Sequence, residues 1–184
     1  AQAAPLPALT APAAGWALVG ALAQIAATAL MLSAMQRRGF AVATALVKTE
    51  PLTLALMGAA VLAEPLGPAR LGAIATATLG VLLLSGGGWQ RAGGRPVALA
   101  VAAGALFGLS ALGFRAAILA LGEGPSVARA SVVLVLALAI QTLLIGGWLA
   151  ARDRRALRGM ASAWRESLGA GFLGALASQF WFIG

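Results

Sequence analysis

Hydrophobic residues fill this chain in long runs, and most charged residues fall in the gaps between them. Six apolar segments stand between charged or Pro/Gly breaks: Ala13–Met35, Phe40–Ala63, Leu71–Trp89, Val97–Leu121, Ala130–Ala151 and Leu168–Gly184. Crossing ~30 Å of hydrocarbon takes roughly 20 helical residues, so the first five are long enough to span and the sixth stops early. Alanine, leucine and glycine dominate the runs, and no alternation of period two persists, which argues against strands. The pattern predicts an all-α, polytopic transmembrane helical bundle.

Composition agrees with the pattern. The chain is 61% hydrophobic and 10% charged, with a mean hydropathy of +0.94, whereas a soluble domain is about 45–50% apolar and about 25% charged. The net charge of +8 does not point to nucleic acid, because the basic residues sit between apolar runs and not on one soluble face. There is no Cys, His or Tyr, which removes disulfides, thiolate or imidazole metal ligands and His-based triads. No metal and no cofactor are expected. No phosphate-binding Gly-x-x-x-x-Gly-Lys-Ser/Thr motif occurs, and the glycines of 86–88 and 93–94 follow no strand, so ATP drive is not expected. Without paired catalytic carboxylates the chain does not read as an enzyme.

The second segment carries the one concentration of polar chemistry inside an apolar run: Lys48-Thr49-Glu50-Pro51. Ten residues separate Phe40 from Glu50, which at 1.5 Å per residue sets Glu50 about 15 Å deep, near the midplane. A carboxylate there must be protonated or paired. Lys48 and Glu50 point to different sides of an ideal helix, but Pro51 cannot donate to the carbonyl of Val47 and loosens that turn. Two readings stay open. Either Lys48, Glu50 and the loosened backbone face a substrate cavity, or the helix starts later, with Lys48 snorkelling and Glu50 a shallow cap before Pro51.

Weaker candidates follow the same logic. Gln24 and Thr28 share one helix face, and Ser178-Gln179 lie about ten residues into their helix, placed either to line a cavity or to hydrogen-bond between helices. Arg115, six residues before Leu121, either snorkels outward or binds an anionic substrate group. Glu64 reads as a loop-boundary residue paired with Arg70. Gly104 and Gly108, in small-xxx-small spacing, read as permitting close helix contact. Asp153, among Arg152, Arg154 and Arg155, reads as part of a solvated loop.

An internal echo suggests a larger design. Gly20-Ala21-Leu22-Ala23 recurs as Gly174-Ala175-Leu176-Ala177, each followed closely by an amide, Gln24 or Gln179. The chain starts without Met and stops within an apolar run, so it reads as a piece of a longer parent with two five-helix halves. An odd number of spans per half makes the second enter upside down, an inverted repeat of the transporter kind.

The motifs Ala45-Leu46-Val47-Lys48-Thr49-Glu50-Pro51-Leu52, Ala63-Glu64-Pro65-Leu66, and Gly72 followed by Gly80-Val81-Leu82-Leu83-Leu84 resemble the EamA-like domain of the drug/metabolite transporter superfamily. Phe107-Gly108 with Arg115 is similar to the family's first helix, and Arg129 to the basic residue opening the next. Lys48 is not a general family feature, and Ala63 replaces the usual Gly. The resemblance implies helices three to eight of ten, with residues 1–89 closing one repeat and 90–184 opening the next. It also implies a secondary carrier in a bacterial-type inner membrane, moving a small metabolite by alternating access. The substrate-binding candidates are Gln24, Thr28, Lys48, Glu50, Pro51, Arg115 and Gln179. Expected partners are that small molecule and the lipid bilayer, with no nucleic acid and with a homo-oligomer as an open alternative. The competing reading is a non-transporting membrane scaffold or assembly subunit.

Charge bias and resemblance disagree on orientation. Arg37, Arg38, Arg91, Arg95, Arg152, Arg154, Arg155, Arg158 and Arg165 fall on one side, and only Arg70 and Arg129 on the other. The positive-inside rule sets the richer side in the cytoplasm; the family arrangement sets it outside.

Overall fold

In a computed structural model of the chain, the described residues are 7–38, 47, 50–63, 65, 67–84 and 94–183. They are helical apart from short connections and contain no strand. Among the described residues, seven helices follow in order: α1 (Ala11–Arg38), α2 (Glu50–Leu62), α3 (Pro68–Leu84), α4 (Gly94–Ala120), α5 (Ser126–Arg152), α6 (Arg154–Ser162) and α7 (Trp164–Ile183). Alanine and leucine favour this outcome locally, since neither loses much side-chain freedom in a helix. Lys48, Glu64 and the expected repeat boundary at 89/90 lie outside the described residues.

The helix ends have identifiable causes. Thr10 starts α1: its Oγ1 accepts from the Ala13 amide at 3.2 Å, the bond of an N-cap. The turn between α4 and α5 runs through Gly122 at φ +74° and Gly124 at φ +136°, values that exclude most side chains, and Pro125 then precedes Ser126. After α2 the left-handed position falls to Ala63, at φ +53°. Glycine usually occupies that place, so the alanine noted in the sequence as a departure is also a point of local strain.

Among the described residues, three helices are long and apolar enough to cross a membrane: α1 over Ala11–Gln36, α4 and α5. The described α2 and α3 are shorter, at 13 and 17 residues. Of the expected segment from Phe40, only Val47 and the residues from Glu50 onward are described, and Val47 is helical and buried.

The chain divides into two compact units. In the unit formed by Ala1–Ala21 and Phe114–Gly184, Ala13, Ala17, Phe114, Ala117, Leu121, Val133 and Ala137 form a buried cluster. Phe182 of α7 packs on it, its ring 5.0 Å from that of Phe114. In the unit Leu22–Gly113, Ala34 packs with Ala100, flanked by Met35 and Val97. Small residues bring helix backbones close together, and in lipid such packing has to replace a hydrophobic drive between helices.

The outward faces stay apolar: Leu143 is 75% exposed, and α7 buries none of its residues. Water does not tolerate so continuous an apolar surface. Together with the three membrane-length helices, this defines an all-α integral membrane protein.

Candidate functional site

The sequence-derived candidates divide between the two units. Gln24, Thr28, Glu50 and Pro51 belong to the unit Leu22–Gly113, and Arg115 and Gln179 to the other. Gln24 and Thr28 are together, as their spacing requires. The Thr28 hydroxyl donates to the Gln24 carbonyl at 2.8 Å, the back-bond by which a helical threonine satisfies itself within its own turn. Both side chains are half-buried in an otherwise apolar stretch of α1.

Glu50 is the first described residue of α2, half-buried, with Pro51 exposed after it. It is the acidic residue in the first turn of the described helix. Arg115 is exposed, with buried Phe114 and Ala116 on either side.

Gln179 forms a long-range bond. Its Nε2 donates to Ser131 Oγ at 2.9 Å, and Ser131 in turn donates to the Val127 carbonyl at 2.8 Å. The relay ties α7 to α5, the interhelical role that the sequence left as one alternative. Ser131 was not singled out in the sequence, because one serine in an apolar helix gives no local sign of a partner 48 residues away.

Two further polar residues gain roles from the fold. Thr10, besides capping α1, donates through Oγ1 to the Ala120 carbonyl at 3.0 Å, fastening the start of α1 to the end of α4. Thr-Ala-Pro before an apolar run was the available signal. Arg129, in the first turn of α5, is disfavoured there by the helix dipole. Its Nη1 donates to the Gly122 carbonyl at 2.8 Å, and its Nε is buried without a hydrogen-bond partner among the described residues.

Gly108 meets the expectation of close packing. A Cβ added there would lie 2.9 Å from Thr53 Cβ and 3.1 Å from the Leu54 amide nitrogen, so α4 touches the backbone of α2 at this point. Among the described residues, no three or more His, Cys, Asp or Glu side chains gather to hold a metal ion.

In comparison with known proteins, the chain matches no family model, no curated protein and no solved structure. What the fold defines is the class reached above, an integral membrane protein of helical type.

Proposed function

We propose that the chain is part of a secondary carrier of the drug/metabolite transporter type, moving a small polar or amphipathic molecule across a bacterial-type inner membrane by alternating access. In this reading the chain supplies helices three to eight of an inverted five-plus-five repeat, and the substrate lies between the two halves. The observation that carries it is Glu50. A half-buried carboxylate beside a proline, opening an otherwise apolar helix, is costly in a membrane and is normally kept for a task. Gln24 and Thr28, half-buried on α1, supply the uncharged polar groups that a small metabolite would meet. Lys48 completes the candidate lining, and Glu50 exchanges the coupling proton.

The competing scaffold reading draws on the same packing: a core of alanines and the Gly108 contact serve helix association as well as transport. Accessibility separates the two. The chain has no cysteine, so single cysteines at Gln24, Lys48 and Glu50 can be challenged with a membrane-impermeant thiol reagent from each side. Labelling at position 50 that candidate metabolites block is the expected result. Failure to label all three from either side, in folded protein, would sink the carrier reading and favour the scaffold.

A further inference from the structure

The sequence reading left Asp153 and its neighbouring arginines in a solvated loop. The structure forms a helix there, α6, one residue after the membrane-length α5 ends. Asp153 makes the restart: its carboxylate accepts from the Ala156 amide at 3.0 Å, an N-cap bond. At about 100° per residue, Ala156, Leu157 and Met160 fall on one side of the helix. Arg154, Arg155 and Arg158 fall on the opposite side. Ala156 and Leu157 are half-buried, whereas Met160 and all three arginines are exposed. Trp148 and Trp164 flank the helix, 62% and 55% exposed, and the Arg165 guanidinium lies 5.3 Å from the Trp164 ring.

Each feature has a physical meaning at a bilayer surface. Exposed tryptophans settle at headgroup depth. A helix with one apolar and one arginine face lies in the interface plane, its apolar side towards the acyl chains. Guanidinium groups grip phosphate oxygens in pairs. A soluble anion would use the arginines alone and leave Met160 and the tryptophans unexplained. We propose that α6 is an interfacial arginine helix that gathers anionic phospholipid headgroups at the end of the α5 span. Arg152 and Arg165, both exposed, widen the basic field on either side. The proposal depends only on the membrane class of the protein and stands whether or not it transports.

The test uses the whole chain in detergent, titrated with phosphatidylglycerol or phosphatidylcholine and followed by native mass spectrometry. The wild type is expected to retain phosphatidylglycerol in preference to phosphatidylcholine. Each basic residue near an anionic surface contributes roughly fivefold, so the variant R154Q/R155Q/R158Q should lose at least tenfold in apparent affinity for phosphatidylglycerol, with phosphatidylcholine unchanged. Arg154 and Arg158 donate through Nε to the carbonyls of Ala150 and Arg154, so the triple variant can disturb the helix. If far-UV dichroism shows that it does, the single variant Arg155→Gln takes its place, with an expected loss of about fivefold. Equal retention of the two lipids by the wild type would overturn the proposal, as would undiminished phosphatidylglycerol affinity in the folded variants. Displacement of the lipid by inorganic phosphate at equal concentration would overturn it too, because the arginines would then be reading a free anion.

Discussion

Replacing Gly108 by alanine tests the packing of α4 on α2 at its tightest point. The new methyl carbon would lie 2.9 Å from Thr53 Cβ and 3.1 Å from both Thr53 Cγ2 and the Leu54 amide nitrogen. Carbon atoms in contact prefer about 3.5–4.0 Å, so the helices must separate by roughly 0.6 Å or more. Flexible side-chain ends could move aside, but a Cβ and a backbone nitrogen move only with their helix. Overpacking of this kind costs typically about 1–3 kcal/mol, against which the better helix propensity of alanine returns up to about 1 kcal/mol. The expected net loss is about 1–2 kcal/mol, read as an earlier midpoint when the micelle-bound chain is unfolded with sodium dodecyl sulfate and followed by far-UV dichroism.

The control is Gly146→Ala on α5, where an added Cβ meets nothing within 4 Å. It should leave the midpoint unchanged or raise it. Thr53→Gly removes two of the three nearest atoms, so in a double-mutant cycle with Gly108→Ala it should recover part of the loss and give a coupling energy above about 0.5 kcal/mol. If Gly108→Ala and Gly146→Ala have the same midpoint, the close approach of α2 and α4 is wrong.

The same unfolding assay reads three further substitutions. Thr10→Ala removes the cap of α1 and its bond to the Ala120 carbonyl and should destabilise by about 1–2 kcal/mol, with Thr10→Ser retaining most of the stability. Ala63→Gly relieves a left-handed backbone that costs an L-residue about 1–2 kcal/mol, less about 0.4–1 kcal/mol for the freer unfolded chain, so a gain of about 0.5–1 kcal/mol is expected. No gain would mean that Ala63 is unstrained. Gln179→Leu loses the bond to Ser131, whose hydroxyl keeps the Val127 carbonyl, so the loss should stay near 0.6 kcal/mol; a loss above 2 kcal/mol would assign Gln179 a larger network.

How far the fold could be read in the sequence depended on the length scale of each signal. Runs of twenty apolar residues declare themselves, so the segments now seen as α1, α4 and α5 were marked to within about four residues. The nine-residue α6 was missed because its four apolar and three basic side chains average to a polar stretch; only their separation at helical period carried the signal. Ala63 and Gly108 were both noticed as residue types. One proved to sit at positive φ and the other against a neighbouring backbone, and each is a demand on a single residue that sequence can register without explaining.

Partners are a different matter, because they depend on packing. Gln179 was picked for its depth in a helix, and nothing near it in the chain indicated Ser131. The reason lies in the solvent. Lipid gives two apolar helices little cause to prefer each other, so the alanines of the two cores, Ala13, Ala17, Ala117 and Ala137 in one and Ala34 and Ala100 in the other, permit association without choosing it. Choice then rests with a few places where atoms of particular shape or polarity meet: Gly108 on Thr53, Phe114 on Phe182, Gln179 on Ser131, Thr10 on the Ala120 carbonyl. In such a chain the hydrophobic majority declares the class of fold and the sparse exceptions specify it. Glu50, half-buried at the start of α2, and the exposed arginines of α6 are the exceptions whose charge sets them apart from the helix packing, and they carry the functional proposals.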